Sequence, residues 1–265
     1  MYHFECGDFA KTIAPTPVLN SPDFQKLFGG EDGVSLPLDD QGLFRPLETI
    51  FLPETKVKIT GRSSRGIYSI VSSEYIAGKL FIDARFLENA RDTTPERVVR
   101  TPKAEKLITR LETLLGLPYV WGGNYSKGIP EMLEFYPPTK PVDPHIETIW
   151  SMKGVDCSGL LYEITDGATP RNTSQLINYG LPVKIAGKDI ISQLKPLDLI
   201  VWKGHTIIVL DSTLAIESRP GFGVVKTSLK ERLDEVLQTK TPADSWDTPS
   251  DFVVRRWHPE MRSLW

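Results

Sequence analysis

Between residues 50 and 90 apolar and polar side chains alternate in short runs. Lys56-Val57-Lys58-Ile59-Thr60, Gly66-Ile67-Tyr68-Ser69-Ile70-Val71 and Gly78-Lys79-Leu80-Phe81-Ile82 have the period of two that suits half-buried strands. Gly29-Gly30, Asp32-Gly33, Asp39-Asp40 and Gly61 punctuate this part of the chain as turns. Nothing in the first hundred residues has a convincing helical period. The pattern predicts a small all-β barrel over residues 1–100.

After Pro102 the period changes. Leu107, Ile108, Leu111, Leu114 and Leu115 fall on one face of a helix, which Gly116 and Pro118 stop. Asp156-Cys157-Ser158-Gly159 opens a second helix, with Leu160, Leu161 and Ile164 on its buried face. Asp156 is its expected N-cap and Gly167 its expected C-cap. Asp198–Trp202, His205–Leu210 and Leu214–Glu217 then read as successive strands. Helices first and sheet later is an α+β pattern, so residues 101–265 form the second expected domain. A long loop with its own apolar residues (124–155) stands inside it as an insertion.

Composition narrows the partners. The 265 residues carry a net charge of −3, and no run of Lys or Arg forms a nucleic-acid footprint. No stretch approaches the roughly 20 apolar residues that span a membrane, so neither nucleic acid nor a membrane is an expected partner. The start of the chain, MYHFECGDFAKT, has neither a basic nor an apolar leader region. Cys6 and Cys157 are the two cysteines and cannot make a disulfide framework. A reducing, cytoplasmic setting and a monomer are expected. Two cysteines and four scattered histidines offer no ligand spacing for a closed metal site, so no metal and no cofactor are expected.

The candidate chemistry centres on Cys157. A cysteine attacks as thiolate. The first turn of a helix, with its positive dipole end, and a histidine within reach both favour that form. His3 and His258 lie near the termini and His145 in a Pro-rich loop, whereas His205 opens an apolar strand after Lys203-Gly204. On spacing alone the pair reads equally as a structural cysteine and a satisfied strand-edge histidine.

Five motifs in order decide between those readings. Pro118-Tyr119-x-x-Gly122-Gly123, Gly154-x-Asp156-Cys157-Ser158-Gly159, Pro170-Arg171-x-Thr173, Asp198-Leu-Ile-x-Trp202 and then His205 together resemble the NlpC-type cell-wall peptidases. The resemblance covers most of 105–225 and implies a papain-like fold, with the cysteine's helix packed on the sheet that bears the histidine. It implies Cys157 as nucleophile and His205 as general base. The family's third polar residue, usually a second histidine, stands twelve positions after the first. Here that position holds Glu217, either as orienter of His205 or as a surface residue with a backbone carbonyl in its place. Tyr119 matches the tyrosine that assists the oxyanion, unless it is a core aromatic. Asp156 matches the aspartate that holds a substrate's N-terminal ammonium, besides capping the helix. Ser158 and Thr173 are candidates to line the same pocket. Arg171 either buttresses the fold or meets a substrate carboxylate, and Trp121 and Trp202 read as core.

Two departures from the family pattern stand out. Residues 124–155 replace a short loop, and Leu197-Asp198 replaces Gly-Asp. The first hundred residues more loosely resemble bacterial SH3-like domains, with Tyr68 and Lys79 at customary tryptophan positions. Tyr75, in Glu74-Tyr75-x-x-Gly78, matches a tyrosine that closes off the substrate's N-terminal end in muropeptide-recycling members, or is an exposed loop residue. The implied reaction is hydrolysis between γ-D-glutamate and a diamino acid in a stem peptide with a free N-terminal L-Ala. The alternatives are a Cys–His acyltransferase or deamidase of the same fold, and a catalytically inactive module that binds cell wall or protein.

Overall fold

Two units divide the chain, and each is assembled from separated stretches: Met1–Val98 with Val120–Gly154, and Val99–Tyr119 with Val155–Trp265. The computed structural model describes residues 3–64, 66–76 and 78–262.

The first unit holds a seven-stranded sheet in the order Leu47–Phe51, Thr16–Leu19, Leu80–Asp83, Ile67–Val71, Lys56–Ser64, Phe9–Thr12, Leu87–Ala90. The alternation seen in the sequence sets its inner face: Val57, Ile59, Tyr68, Ile70, Leu80 and Ile82 form one buried cluster. The expected barrel is instead an open path, because its two end strands are not paired with each other among the described residues. A period of two specifies which face of a strand is buried. Closure depends on tilt and stagger between strands, which that pattern does not encode.

A second core in this unit takes in residues 124–155. The segment groups with the first unit. Its Ile129, Met132, Tyr136, Ile149, Trp150 and Met152 bury themselves with Phe24, Phe28, Phe44 and Leu47. Polar groups fix the packing. The Trp150 indole donates to the Tyr136 carbonyl at 2.9 Å, and the Tyr136 hydroxyl donates to Asp83 at 2.6 Å. The Asn124 side chain, fully buried, pairs with both backbone groups of Ile50 at 2.8 Å. A segment with this many large apolar side chains gains more by joining a core than by remaining solvated.

The second unit is α+β. Its six-stranded sheet runs Leu181–Val183, Asp251–Arg256, Leu199–Trp202, His205–Val209, Leu214–Arg219, Gly223–Ser228. Successive strand residues face opposite sides. Leu199, Val201, Ile208 and Ile216 pack with Leu107, Leu111, Leu160, Leu161 and Ile164 of the helices Ala104–Thr113 and Cys157–Ile164. Ile200, Ile207, Val209 and Ala215 pack on the other side with Leu229, Leu233 and Val236 of the helix Leu229–Leu237. Burial on both faces explains why the strands read as continuous apolar runs.

Leu197 shows how the Gly-Asp departure is accommodated. Its φ is +66°, in the left-handed region that glycine adopts freely and that costs other residues about 1–2 kcal/mol. Its side chain is 1% exposed within the core, and burying a leucine contributes roughly 1.5–3 kcal/mol. The turn therefore keeps a glycine-like backbone, and the side chain offsets the strain.

Candidate active site

The Cys157–Ile164 helix begins where the sequence places it. The Asp156 carboxylate accepts from the Gly159 N–H at 2.6 Å as N-cap. At the other end Gly167 takes φ +78° and its N–H donates to the Tyr162 carbonyl at 2.8 Å. Cys157 thus occupies the first helical position and is 5% exposed. The residue before the cap is tied in place twice: Val155 donates to the Pro118 carbonyl at 3.2 Å, and the Ser218 hydroxyl donates to the Val155 carbonyl at 2.7 Å. Tyr119, half-buried, forms a parallel bridge with Val155.

His205 opens its strand beside this helix end, and Cys157 is among the groups that favour the charged form of its ring. Its Nε2 lies 2.5 Å from Glu217 Oε2. A carboxylate only accepts, so Nε2 carries the proton and Nδ1 is left for sulfur. The Trp202 ring, half-buried, leans on the imidazole with centroids 5.2 Å apart. Glu217 is fully buried beside the ring rather than at the surface. Burial opposes charge on both partners. For His205 the hydrogen bonds and charges of Cys157 and Glu217 outweigh it, and the ring's pKa is raised to about 9. For Glu217 burial would push the carboxyl up, but His205 and Arg232 together hold it below its usual range.

Arg232 is the residue that sequence reasoning missed. Its Nε donates to Glu217 Oε1 at 2.5 Å and its second terminal nitrogen to Oε2 at 3.1 Å. The signal was present. Ser228 caps the Leu229–Leu237 helix through the Glu231 N–H, and Leu229, Leu233 and Val236 are its buried residues. Arg232 falls in that same i, i+3, i+4, i+7 stripe. A charge in an apolar stripe calls for a buried counter-charge.

Asp156, Ser158 and Thr173 are each engaged within the chain. Arg171, 3% exposed, forks onto both Asp156 oxygens at 3.0 and 2.6 Å and donates to Ser158 Oγ at 2.9 Å. Ser158 in turn donates to Asp156 at 3.2 Å. The charge that Asp156 was expected to offer a substrate ammonium is therefore already matched by Arg171. Of the two readings of Arg171, the geometry gives the buttress. Thr173 Oγ1 accepts from the Gly204 N–H at 2.9 Å, which anchors the turn leading into His205. The Gly204 carbonyl lies 3.9 Å from the Cys157 sulfur. Tyr75 belongs to the first unit, where it is 7% exposed and donates to Glu48 at 2.7 Å. It is buried rather than an exposed loop residue. Among the described residues no group of three or more His, Cys, Asp or Glu is placed to hold a metal ion. No helix there is long and apolar enough to cross a membrane.

A thiol at a helix start, an imidazole against it and a buried carboxylate behind the ring make an arrangement suited to acyl transfer through a thioester. No protein-family model and no curated protein sequence matches the chain. Among solved structures it is similar to an NlpC/P60 family protein from Bacillus cereus, with 19% identity, 96% of this chain covered, 64% of that one and a TM-score of 0.38. It is also similar to NlpC1 from Trichomonas vaginalis, with 12% identity, 97% and 95% coverage and a TM-score of 0.36. RipD from Mycobacterium tuberculosis, described as a non-catalytic NlpC/p60 domain protein adapted to peptidoglycan binding, matches at 19% identity over 58% of this chain and 95% of its own, with a TM-score of 0.36. At this level of similarity, what the chain does has to be argued from its own side chains.

Proposed function

We propose that this chain is a papain-like cysteine peptidase that cuts the bond between γ-D-glutamate and a diamino acid in peptidoglycan stem peptides. The observation that carries the proposal is the line Cys157–His205–Glu217: a thiol at a helix start, an imidazole whose charged form it favours, and a buried carboxylate hydrogen-bonded to that ring. The substrate class is supported by the order and spacing of the five motifs that contain these residues. Two free cysteines, one of them exposed, suit a reducing compartment such as the cytoplasm. The first unit is read as SH3-like, supported by the consecutive antiparallel strands Lys56–Ser64, Ile67–Val71 and Leu80–Asp83.

In the proposed reaction the Cys157 thiolate attacks the amide carbonyl, and the oxyanion meets the Cys157 N–H and the Tyr119 hydroxyl. The C–N bond breaks as His205 gives its Nδ1 proton to the departing amine, leaving a thioester. Water then attacks the thioester, passes a proton to His205 and releases the γ-D-glutamyl acid and the thiol. Asp156 and Ser158 line the subsite for the L-Ala end. An ammonium arriving there would join a pair that Arg171 has already made neutral.

The test is mass spectrometry of L-Ala-γ-D-Glu-diamino acid, with diaminopimelate or lysine, after incubation with wild type and Cys157→Ala. Wild type should yield the dipeptide and the free diamino acid, and Cys157→Ala neither. A new amide in the presence of added amine would instead mark a transferase, and loss of ammonia without chain cleavage from the amidated tripeptide L-Ala-D-isoglutaminyl-diamino acid a deamidase. No reaction with either protein would leave a binding module.

A further inference from the structure

The Glu217 carboxylate does two jobs with two oxygens. Oε2 faces His205 Nε2 at 2.5 Å, while Arg232 grips Oε1 at 2.5 Å and Oε2 at 3.1 Å. Glu217 is fully buried and the Arg232 side chain is 11% exposed. A carboxyl and an imidazole that share a proton in such a place have two arrangements, carboxylate with imidazolium or carboxylic acid with neutral imidazole. Burial favours the second, because it separates no charge. A fixed cation on the far side of the carboxylate favours the first. We propose that Arg232 is a positioning residue that keeps the shared proton on His205 rather than on Glu217, and so keeps an imidazolium facing the Cys157 sulfur.

The surroundings leave that task to Arg232. From the Cys157–Ile164 helix the neighbour is Cys157, which favours the charged form of the same ring. From the Leu229–Leu237 helix, Glu235 accepts from Arg232 at 2.9 Å and lies 3.6 Å from Arg219, so it also holds the arginine from behind. On the adjacent strand Gly223–Ser228, Lys226 is taken by Glu112 at 2.7 and 2.8 Å. Asp156 and Arg171 neutralise each other. Among the described residues, Arg232 is thus the cation that touches Glu217 besides His205 itself. Its planar fork also fixes the carboxylate's rotation, which a point charge does less well.

The inference rests on the proposed reading of the Cys157–His205 pair, so its test uses no substrate. In a Cys6→Ser background, the rate of Cys157 alkylation by iodoacetamide is followed from pH 5 to 10 for wild type, Arg232→Met, Arg232→Lys and Glu217→Gln. Wild type should react readily at pH 6 and show an inflection at about 9 from His205. Arg232→Met should react about tenfold or more slowly at pH 6, because the proton moves to Glu217 and the thiolate loses its counter-ion. Its inflection should move above that of wild type, since removing a cation favours the protonated form of every neighbour. Glu217→Gln should move the inflection the opposite way. Arg232→Lys should recover the inflection and most of the rate. Should Arg232→Met fail to fold, Arg232→Gln, which keeps a hydrogen-bond donor but no charge, decides the matter through the same slower rate at pH 6 and raised inflection. Wild-type profiles in the Arg232 variants, with only a lower Tm, would overturn the inference and leave Arg232 as a structural ion pair. A wild-type Cys157 that reacts no faster than an unassisted thiol at pH 6 would overturn the site reading and the inference together.

Discussion

The second unit contains two buried carboxylate–arginine pairs built from similar side chains and put to different use. Asp156 spends its oxygens on Arg171, Ser158 and the Gly159 N–H. Glu217 meets Arg232 with one oxygen and shares the other between Arg232 and His205. A carboxylate saturated by its own helix end caps and braces. One whose oxygen reaches a ring nitrogen steers a proton. Burial and charge alone do not separate the two; the identity of the last hydrogen-bond partner does.

The largest effect expected from this contrast is on the Glu217 side. Glu217→Ala should lower kcat by up to about 10⁴-fold, the scale seen when the acidic member of a catalytic triad is lost. Glu217→Gln should cost less, because an amide oxygen still reaches Nε2. The pH profile sharpens the point. His205 is raised to about 9, so its charged form, and the stability it contributes, is fully present below the ordinary imidazole range and lost as pH rises through about 9. The alkaline limb of kcat/KM and the fall in Tm should therefore coincide there. In Glu217→Gln both should move toward the ordinary imidazole range, and limbs that stay near their wild-type place would remove Glu217 from the proton's path.

On the Asp156 side the expected effect is on stability. Arg171→Met takes the cation away from a buried carboxylate, which costs roughly 3–5 kcal/mol, or a Tm drop on the order of 10 °C. The double variant Asp156→Leu/Arg171→Met should recover much of that, since an apolar pair of similar volume can replace a buried ion pair. Thermal unfolding followed by circular dichroism measures both. A double variant no more stable than the single one would mean that the pair does more than brace.

How much of this was legible beforehand follows the range of each interaction. The capped helix at Cys157, the strand at His205 and the twelve-residue step to Glu217 are local patterns, and the sequence displays them. The partners Arg171–Asp156 and Thr173–Gly204 join residues 15 and 31 positions apart. The sequence named all but Gly204 as candidates, without saying that they would satisfy one another rather than a ligand. Arg232 was overlooked because a charge on a helix is usually solvated, and only its place in the stripe of Leu229, Leu233 and Val236 marks it as buried. The 124–155 segment was readable as ordered from its aromatics. Its allegiance to the first unit depends on Phe24, Phe28 and Phe44, about a hundred residues away, and no local period reports that.

The smallest effect concerns the substrate's free end. With Arg171 already facing Asp156, an ammonium there adds about as much as a weak ion pair, up to roughly 1 kcal/mol or fivefold. Acetylating the tripeptide's N-terminus should lower kcat/KM by no more than about that factor through charge alone. A loss of two orders of magnitude or more would mean that Asp156 exchanges Arg171 for the substrate, and would dissolve the contrast between the two pairs.

The central claim is that Cys157 forms a covalent acyl intermediate in line with His205 and Glu217. Acid-quenching the protein during turnover of L-Ala-γ-D-Glu-diamino acid, followed by peptide-mapped mass spectrometry, tests it most directly. The account predicts an L-Ala-γ-D-glutamyl thioester on Cys157, labile to hydroxylamine, more abundant when Glu217→Ala slows deacylation than acylation, and absent from Cys6. Steady hydrolysis with no adduct on Cys157, or an adduct on Cys6 instead, would contradict it.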